Sequence, residues 1–161
     1  MMTTVTPPAL GTPRLRGRGL RVGYGERLVL DGLDVEVPTG ELTMIVGPNG
    51  CGKSTLLRAL ARMLPVREGV VELDGRAIGD YPTREVARRL GLLPQSPVAP
   101  DGITVTDLVA RGRYPHQGIF RQWSDADAAA VHEAMVRAGV TELAASQPLP
   151  GSPSQSAHPL W

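Results

Sequence analysis

Apolar positions along the chain change period several times, and each change marks an element. Residues 20–24 and 29–37 alternate apolar with polar or glycine positions, as half-buried strands do, with Gly25 between them and a turn signal at Asp31-Gly32. Pro38-Thr39-Gly40 reads as a turn delivering the chain into residues 42–46, Leu-Thr-Met-Ile-Val, which predict a short buried strand. Past residue 55 the period becomes helical: Leu56, Leu57, Leu60, Met63 and Leu64 fall on one face, and Pro65 is expected to end that helix. Glu68-Gly69 then leads to a strand over residues 70–73, closed by Asp74-Gly75. Thr83 is placed to cap an arginine-rich helix running to Leu90, with Gly91 as its stop. Residues 91–95 predict one more brief strand ending in Gln95.

From Thr104 the pattern is helical. Thr104-x-x-Asp107 and Ser124-x-x-Asp127 both fit the capping box, in which a hydroxyl and a carboxylate satisfy each other's backbone N–H groups. The second box opens a helix to about Ala138, with Gly139 beyond, and Asp125 and Asp127 favour its dipole. Between the two lies Arg-Gly-Arg-Tyr-Pro-His, residues 111–116, a basic surface stretch. Residues 146–161 hold four prolines, four serines and no charged side chain, a composition that cannot build a packed element. The expected organisation is therefore a disordered leader over 1–16, a nucleotide-binding core over 17–100, the start of a helical subdomain over 101–145, and an unmatched tail over 146–161. No internal repeat is visible.

Between the predicted strand and helix stand Gly47, Pro48, Asn49, Gly50, Cys51, Gly52, Lys53, Ser54 and Thr55. This is G-x-x-x-x-G-K-[ST], the phosphate-binding loop, followed by a second hydroxyl. Its glycines let backbone N–H groups turn inward around phosphate oxygens, and the helix N-terminus adds partial positive charge. Lys53 supplies a full charge for the outer phosphates, and the Ser54 hydroxyl suits Mg²⁺. Strand, loop and helix in sequence raise the pattern from a string match to a nucleoside triphosphate site.

Composition narrows the picture modestly. With 161 residues, 42% of them hydrophobic and only 4% aromatic, the chain can hold one domain with an aliphatic core. A net charge of +1 provides no field for steering toward nucleic acid or anionic lipid. Lys53 is the only lysine; every other basic chain is arginine apart from three histidines, and His116 and His132 lack partners at metal-ligand spacing. The single cysteine, Cys51, excludes an internal disulfide and fits a reducing compartment. It reads either as a small loop filler or as a thiol activated by the helix N-terminus. No run of eighteen apolar residues exists, and the uncharged first residues have no basic region of the secretory kind.

Three further stretches join the loop in a recognisable order: Val22-Gly23-Tyr24-Gly25 before it, Leu92-Leu93-Pro94-Gln95 after it, and Leu108-Val109-Ala110-Arg111-Gly112-Arg113-Tyr114-Pro115-His116 beyond. Together they resemble the nucleotide-binding subunit of an ATP-binding cassette (ABC) transporter, and the last resembles the subfamily that imports iron–siderophore complexes. The resemblance spans residues 20–145, the first half of such a subunit. It implies an α/β P-loop fold with an N-terminal antiparallel β portion, an incomplete sheet, and the start of an α-helical subdomain. It implies ATP and Mg²⁺ as ligands, with Tyr24 stacking on adenine and Gln95 touching Mg²⁺ or the attacking water. A half-buried strand tyrosine and a solvated loop amide are the plainer alternatives for these two. It also implies a second ATP-binding subunit and membrane permease subunits as partners, no nucleic acid, and a place on the cytoplasmic face of the cell membrane.

Within these residues the family's later equipment is not found. There is no Gly-Gly dipeptide, hence no LSGGQ-type motif, and nothing past Gln95 reads as four apolar residues followed by a carboxylate. His158 lies in the featureless tail and is not the family's switch histidine. The expectation is a chain that holds ATP but does not hydrolyse it unaided, with an open sheet edge prone to aggregation. A truncated gene or a frameshift would account for such a sequence. The alternative to a transport subunit is a non-catalytic nucleotide-binding fragment; a cassette acting on nucleic acid is disfavoured by the balanced charge.

Overall fold

The structure is a computed structural model that describes residues 13–95, 102–117 and 123–147. The chain divides between Leu92 and Leu93 into two compact units. In the first, strands β1 (Pro13–Tyr24), β2 (Arg27–Pro38), β3 (Glu68–Leu73) and β4 (Arg76–Ala77) form an antiparallel sheet in the order β2-β1-β3-β4. Helices α1 (Lys53–Leu60) and α2 (Thr83–Arg89) complete the unit.

The outward row of β1 explains its pairing. Arg16 meets Glu36 of β2 at 2.7 Å, Arg18 meets Glu72 of β3 at 3.3 Å, and Arg21 bridges Asp31 and Glu68 at 2.7 and 3.1 Å. Exposed pairs of this kind add little stability each, but opposite charges facing across strands favour this register. The inward row supplies the core, where Leu20 and Val22 meet Leu30, Val35, Leu56, Ala59, Val71 and Leu73. Each buried aliphatic side chain of this size contributes about 1.5–3 kcal/mol of transfer free energy.

The structure corrects several expectations. β1 begins at Pro13 and takes in residues 13–16, assigned above to the leader. Asp31-Gly32 is not a turn: β2 runs through it, and the register between Val22↔Leu30 and Leu20↔Leu33 absorbs one extra residue, with Gly32 at φ 68°. The turn lies instead at Gly25-Glu26. α1 stops at Leu60, well before Pro65. Arg62 takes φ 58°, and the N–H groups of Arg62 and Met63 turn back to the Ala59 and Arg58 carbonyls at 3.0 and 2.8 Å, a left-handed cap that ends the helix before the proline; the Arg62 guanidinium also donates to the carbonyls of Ile78 and Tyr81 at 3.2 and 2.8 Å. Leu57 and Met63, placed on its buried face by periodicity, are exposed, while Thr55, Leu56, Ala59 and Leu60 are buried. Thr83 is the first residue of α2 and caps nothing; Pro82 precedes it as the cap position without a side-chain bond.

Neither residues 42–46 nor residues 91–95 form a strand in the described structure. Residues 42–46 keep a strand's alternation: Thr43 and Ile45 are half-buried, and Leu42, Met44 and Val46 are exposed. Without a ladder partner among the described residues, their outer face stays in solvent.

In the second unit, α3 (Val105–Ala110) runs into a 3₁₀ segment (Arg111–His116), and α4 (Asp125–Ala138) ends at Gly139 in the left-handed conformation. The capping box at Ser124 forms in full and the one at Thr104 in half, the Asp107 carboxylate accepting from the Thr104 hydroxyl instead of the cap N–H. The Thr104 hydroxyl accepts from the Asp107 N–H at 3.1 Å, and Ser124 and Asp127 exchange both bonds of the motif. Asp127 is buried, receives the Arg113 Nε–H at 2.9 Å, and so ties the 3₁₀ segment to the start of α4. The Val105 N–H donates to the Ser146 carbonyl at 2.9 Å, joining the first residues of the predicted tail to α3. The leader up to residue 12, and the tail from residue 148 onward, lie outside the described residues.

Candidate functional site

The glycine loop lies on the surface between the extended segment 42–46 and α1. Gly52 is the cap position of α1, at φ 100° and with no side-chain cap, which leaves the first-turn N–H groups of Lys53, Ser54 and Thr55 without intrahelical partners. A Cβ on Gly52 would stand 2.9 Å from Leu30 Cδ2 and 3.1 Å from Val29 Cγ1, so only glycine lets the loop approach the sheet this closely. Lys53 curls back over the loop, donating its ammonium to the Gly47 and Pro48 carbonyls at 2.7 and 2.8 Å. Its Nζ also lies 3.8 Å from Cys51 Sγ. Ser54 is exposed, whereas Thr55 is buried.

This donor set fits a polyphosphate. It joins free amides at a helix N-terminus to a mobile ammonium, with no carboxylate hydrogen-bonded into the loop. Among the described residues no group of three or more histidine, cysteine or carboxylate side chains is arranged to hold a metal alone.

Tyr24 closes the site from the sheet side. It is the last residue of β1, 45% exposed, and its hydroxyl accepts from Arg58 Nη1 of α1 at 3.3 Å. Hydrogen bonding with the Thr55 hydroxyl, and then with Arg58, holds the phenol below its usual pKa. The structure brings Tyr24 to the loop's helix. Arg58 and Thr55 were missed as partners of Tyr24. Their only sequence signal is spacing: Arg58 follows Ser54 by four residues and Thr55 by three, which sets the three on adjacent parts of one helix face. Gln95 is exposed and belongs to the second unit, so the site described here consists of first-unit residues alone.

The second unit has its own open groove of about 510 Å³, lined by Ile103, Asp107, Ala110, Arg111, Tyr114, Gln117 and Trp123. Tyr114 and Trp123 are at least half exposed. Two aromatic rings beside an arginine and a carboxylate make a surface suited to a polypeptide.

An aliphatic sheet backed by a helix whose N-terminus carries Gly-x-x-x-x-Gly-Lys-Ser defines a P-loop nucleotide-binding protein. The ABC transporter family profile matches residues 30–155, and the chain belongs to that family. It is 54% identical over 131 residues to the ferric enterobactin transport ATP-binding protein FepC of Escherichia coli, covering 81% of this chain and 48% of that protein. It is 47% identical to the petrobactin import ATP-binding protein FpuD of Bacillus anthracis, over 81% of this chain and 48% of that one. The hemin import ATP-binding protein HmuV of Streptomyces coelicolor is 48% identical, over 86% of this chain and 49% of its own length. The chain thus spans about half the length of these curated relatives. A bacterial Atm1-family ABC exporter solved with ATP bound aligns at TM-score 0.62 and 31% identity, over 88% of this chain and 25% of that one. An ATP-binding subunit of an ABC transporter aligns at TM-score 0.68 over 84% of this chain and 54% of its own, a likeness of fold alone at 24% identity.

Proposed function

We propose that this chain is the ATP-binding component of an ABC-type importer of ferric siderophores, and that it carries the first half of the ATP site. The observation that supports this most directly is the loop itself: Lys53, held by its own loop carbonyls, beside the free amides that open α1. Bound ATP would supply the phosphoanhydride whose binding and cleavage drive transport. The chain's own residues do the holding. The amides of residues 50–55 and the Lys53 ammonium would bind the phosphates, Ser54 would serve Mg²⁺, and Tyr24 would stack on adenine. The ferric siderophore is cargo of the assembled importer, as the names of the relatives indicate for those proteins.

In this reading residues 17–100 form the nucleotide-binding core and residues 101–145 begin the helical subdomain. The groove beside Tyr114 and Trp123 receives a segment of the permease. No described helix is long and apolar enough to cross a membrane. The partners of this reading are permease subunits and a second ATP-binding subunit, at the cytoplasmic face of the membrane.

Calorimetric titration of the chain with Mg-ATP tests the reading: it expects saturable binding that Lys53→Ala weakens about tenfold or more, and co-purification with permease subunits from membranes. Binding unaffected by Lys53→Ala would overturn it. A second reading is a nucleotide-binding chain without catalysis of its own. ATP turnover separates the two: binding with no phosphate release supports the second, and release abolished by Lys53→Ala supports the transport ATPase.

A further inference from the structure

We infer that Arg58, with Thr55, is a positioning residue for the nucleotide base: it holds the Tyr24 ring by its hydroxyl, so that the exposed ring is set in place for a planar purine before any nucleotide arrives. This rests on the proposed reading of the loop as an ATP site, and adds to it a residue that neither the loop motif nor the family resemblance assigns.

The geometry has three parts. Tyr24 ends β1, immediately before the Gly25-Glu26 turn, where backbone packing alone fixes a side chain poorly. Its hydroxyl is nevertheless bound at its far end, by Arg58 Nη1 at 3.3 Å and by the Thr55 hydroxyl. Thr55 is only 6% exposed and is the last residue of the phosphate loop, so one end of this anchor is part of the phosphate site itself. With the hydroxyl occupied and 45% of the residue exposed, the portion of Tyr24 left for a ligand is the ring. The separation of ring and phosphate cradle is then set by two side chains of one helix turn rather than by a strand end.

The consequence is energetic. A base that stacks on a swinging tyrosine must immobilise it, and a ring already held spares that loss. Arg58 would therefore strengthen binding of nucleotides with a base and leave bare polyphosphate unaffected. A merely structural link between β1 and α1 would do neither selectively.

The test uses the full chain and two probes, Mg-ATP and inorganic tripolyphosphate, measured by calorimetry. Tyr24→Phe keeps the ring and deletes the anchor; Arg58→Met keeps the stem and deletes the donor; Arg58→Lys keeps a donor. The expected result is about three- to tenfold weaker ATP binding for Tyr24→Phe and for Arg58→Met, the loss of freedom of one side chain. The double variant should be no weaker than either single one, Arg58→Lys should recover part of the loss, and tripolyphosphate should bind all forms alike. ATP bound normally by Tyr24→Phe overturns the inference alone, as does an equal loss of ATP and tripolyphosphate affinity in the variants. A wild-type chain that binds neither probe overturns the nucleotide-site reading and this inference with it.

Discussion

The Lys53 ammonium donates to the carbonyl of Gly47, six residues earlier and at the start of the same loop, at 2.7 Å. With the second bond, to Pro48 at 2.8 Å, the loop's only cation lies against two carbonyls of its own backbone. An ammonium has three N–H donors, and a charged phosphate oxygen binds one roughly twice as strongly as a neutral carbonyl does.

Lys53→Met retains the stem and removes the charge. The expected result is about ten- to hundredfold weaker ATP binding, the worth of hydrogen bonds to a charged group, with little change in unfolding midpoint. Calorimetry alongside urea unfolding checks both halves, and unchanged affinity would sink the assignment of Lys53 to the phosphates.

Gly52→Ala asks a different question of the same loop. The residue sits at φ 100°, and an added methyl would press on Leu30 and Val29 at 2.9 and 3.1 Å. Strain at a left-handed position and overpacking each cost about 1–3 kcal/mol. The substitution should therefore lower stability by about 2 kcal/mol or more and weaken nucleotide binding, because the sheet can no longer receive the loop. An alanine variant with a wild-type midpoint would show the contact to be slack.

In the second unit, pH is the lever. Hydrogen bonds from Ser124 and then Arg113 depress the pKa of the buried Asp127 below its ordinary 3.8. A carboxyl whose folded pKa is depressed contributes stability that is present above its unfolded value and lost as pH falls through the folded one. Thermal unfolding followed from about pH 7 down to about pH 2 should show this loss at the acid end, and Asp127→Asn should flatten that limb. Ser124→Ala, which removes the cap, should cost about 1 kcal/mol at neutral pH. An acid limb of equal slope in Asp127→Asn would assign the loss to other carboxylates.

The segment 42–46 predicts behaviour in solution. Leu42, Met44 and Val46 are 91%, 71% and 55% exposed on one side of an extended stretch that pairs with no strand among the described residues. Such an edge is a template for association. The chain should self-associate as concentration rises, and Met44→Lys, placing a charge in the middle of the exposed row, should suppress this without lowering the unfolding midpoint. Light scattering that shows wild type and Met44→Lys equally monodisperse would refute it.

What the sequence by itself determined is whatever is settled within a few residues. The glycine loop opens α1 because its glycines and its Lys-Ser pair act on the adjacent backbone. Both hydroxyl caps form because Thr104 with Asp107, and Ser124 with Asp127, need only each other. Tertiary structure decided whatever depends on a distant partner. The Arg62 guanidinium reaches carbonyls 16 and 19 residues later, and Leu57 and Met63, core by periodicity, lie on the surface. A bulge carries β2 through Asp31-Gly32, a signal that reads locally as a turn. Residues 42–46 remain outside any ladder because a strand requires a neighbour as well as a pattern. Tyr24 is tied to Arg58, 34 residues away, by a bond that no periodicity encodes. Local hydrogen bonds are written in neighbouring residue types; contacts between elements exist only once the chain has packed.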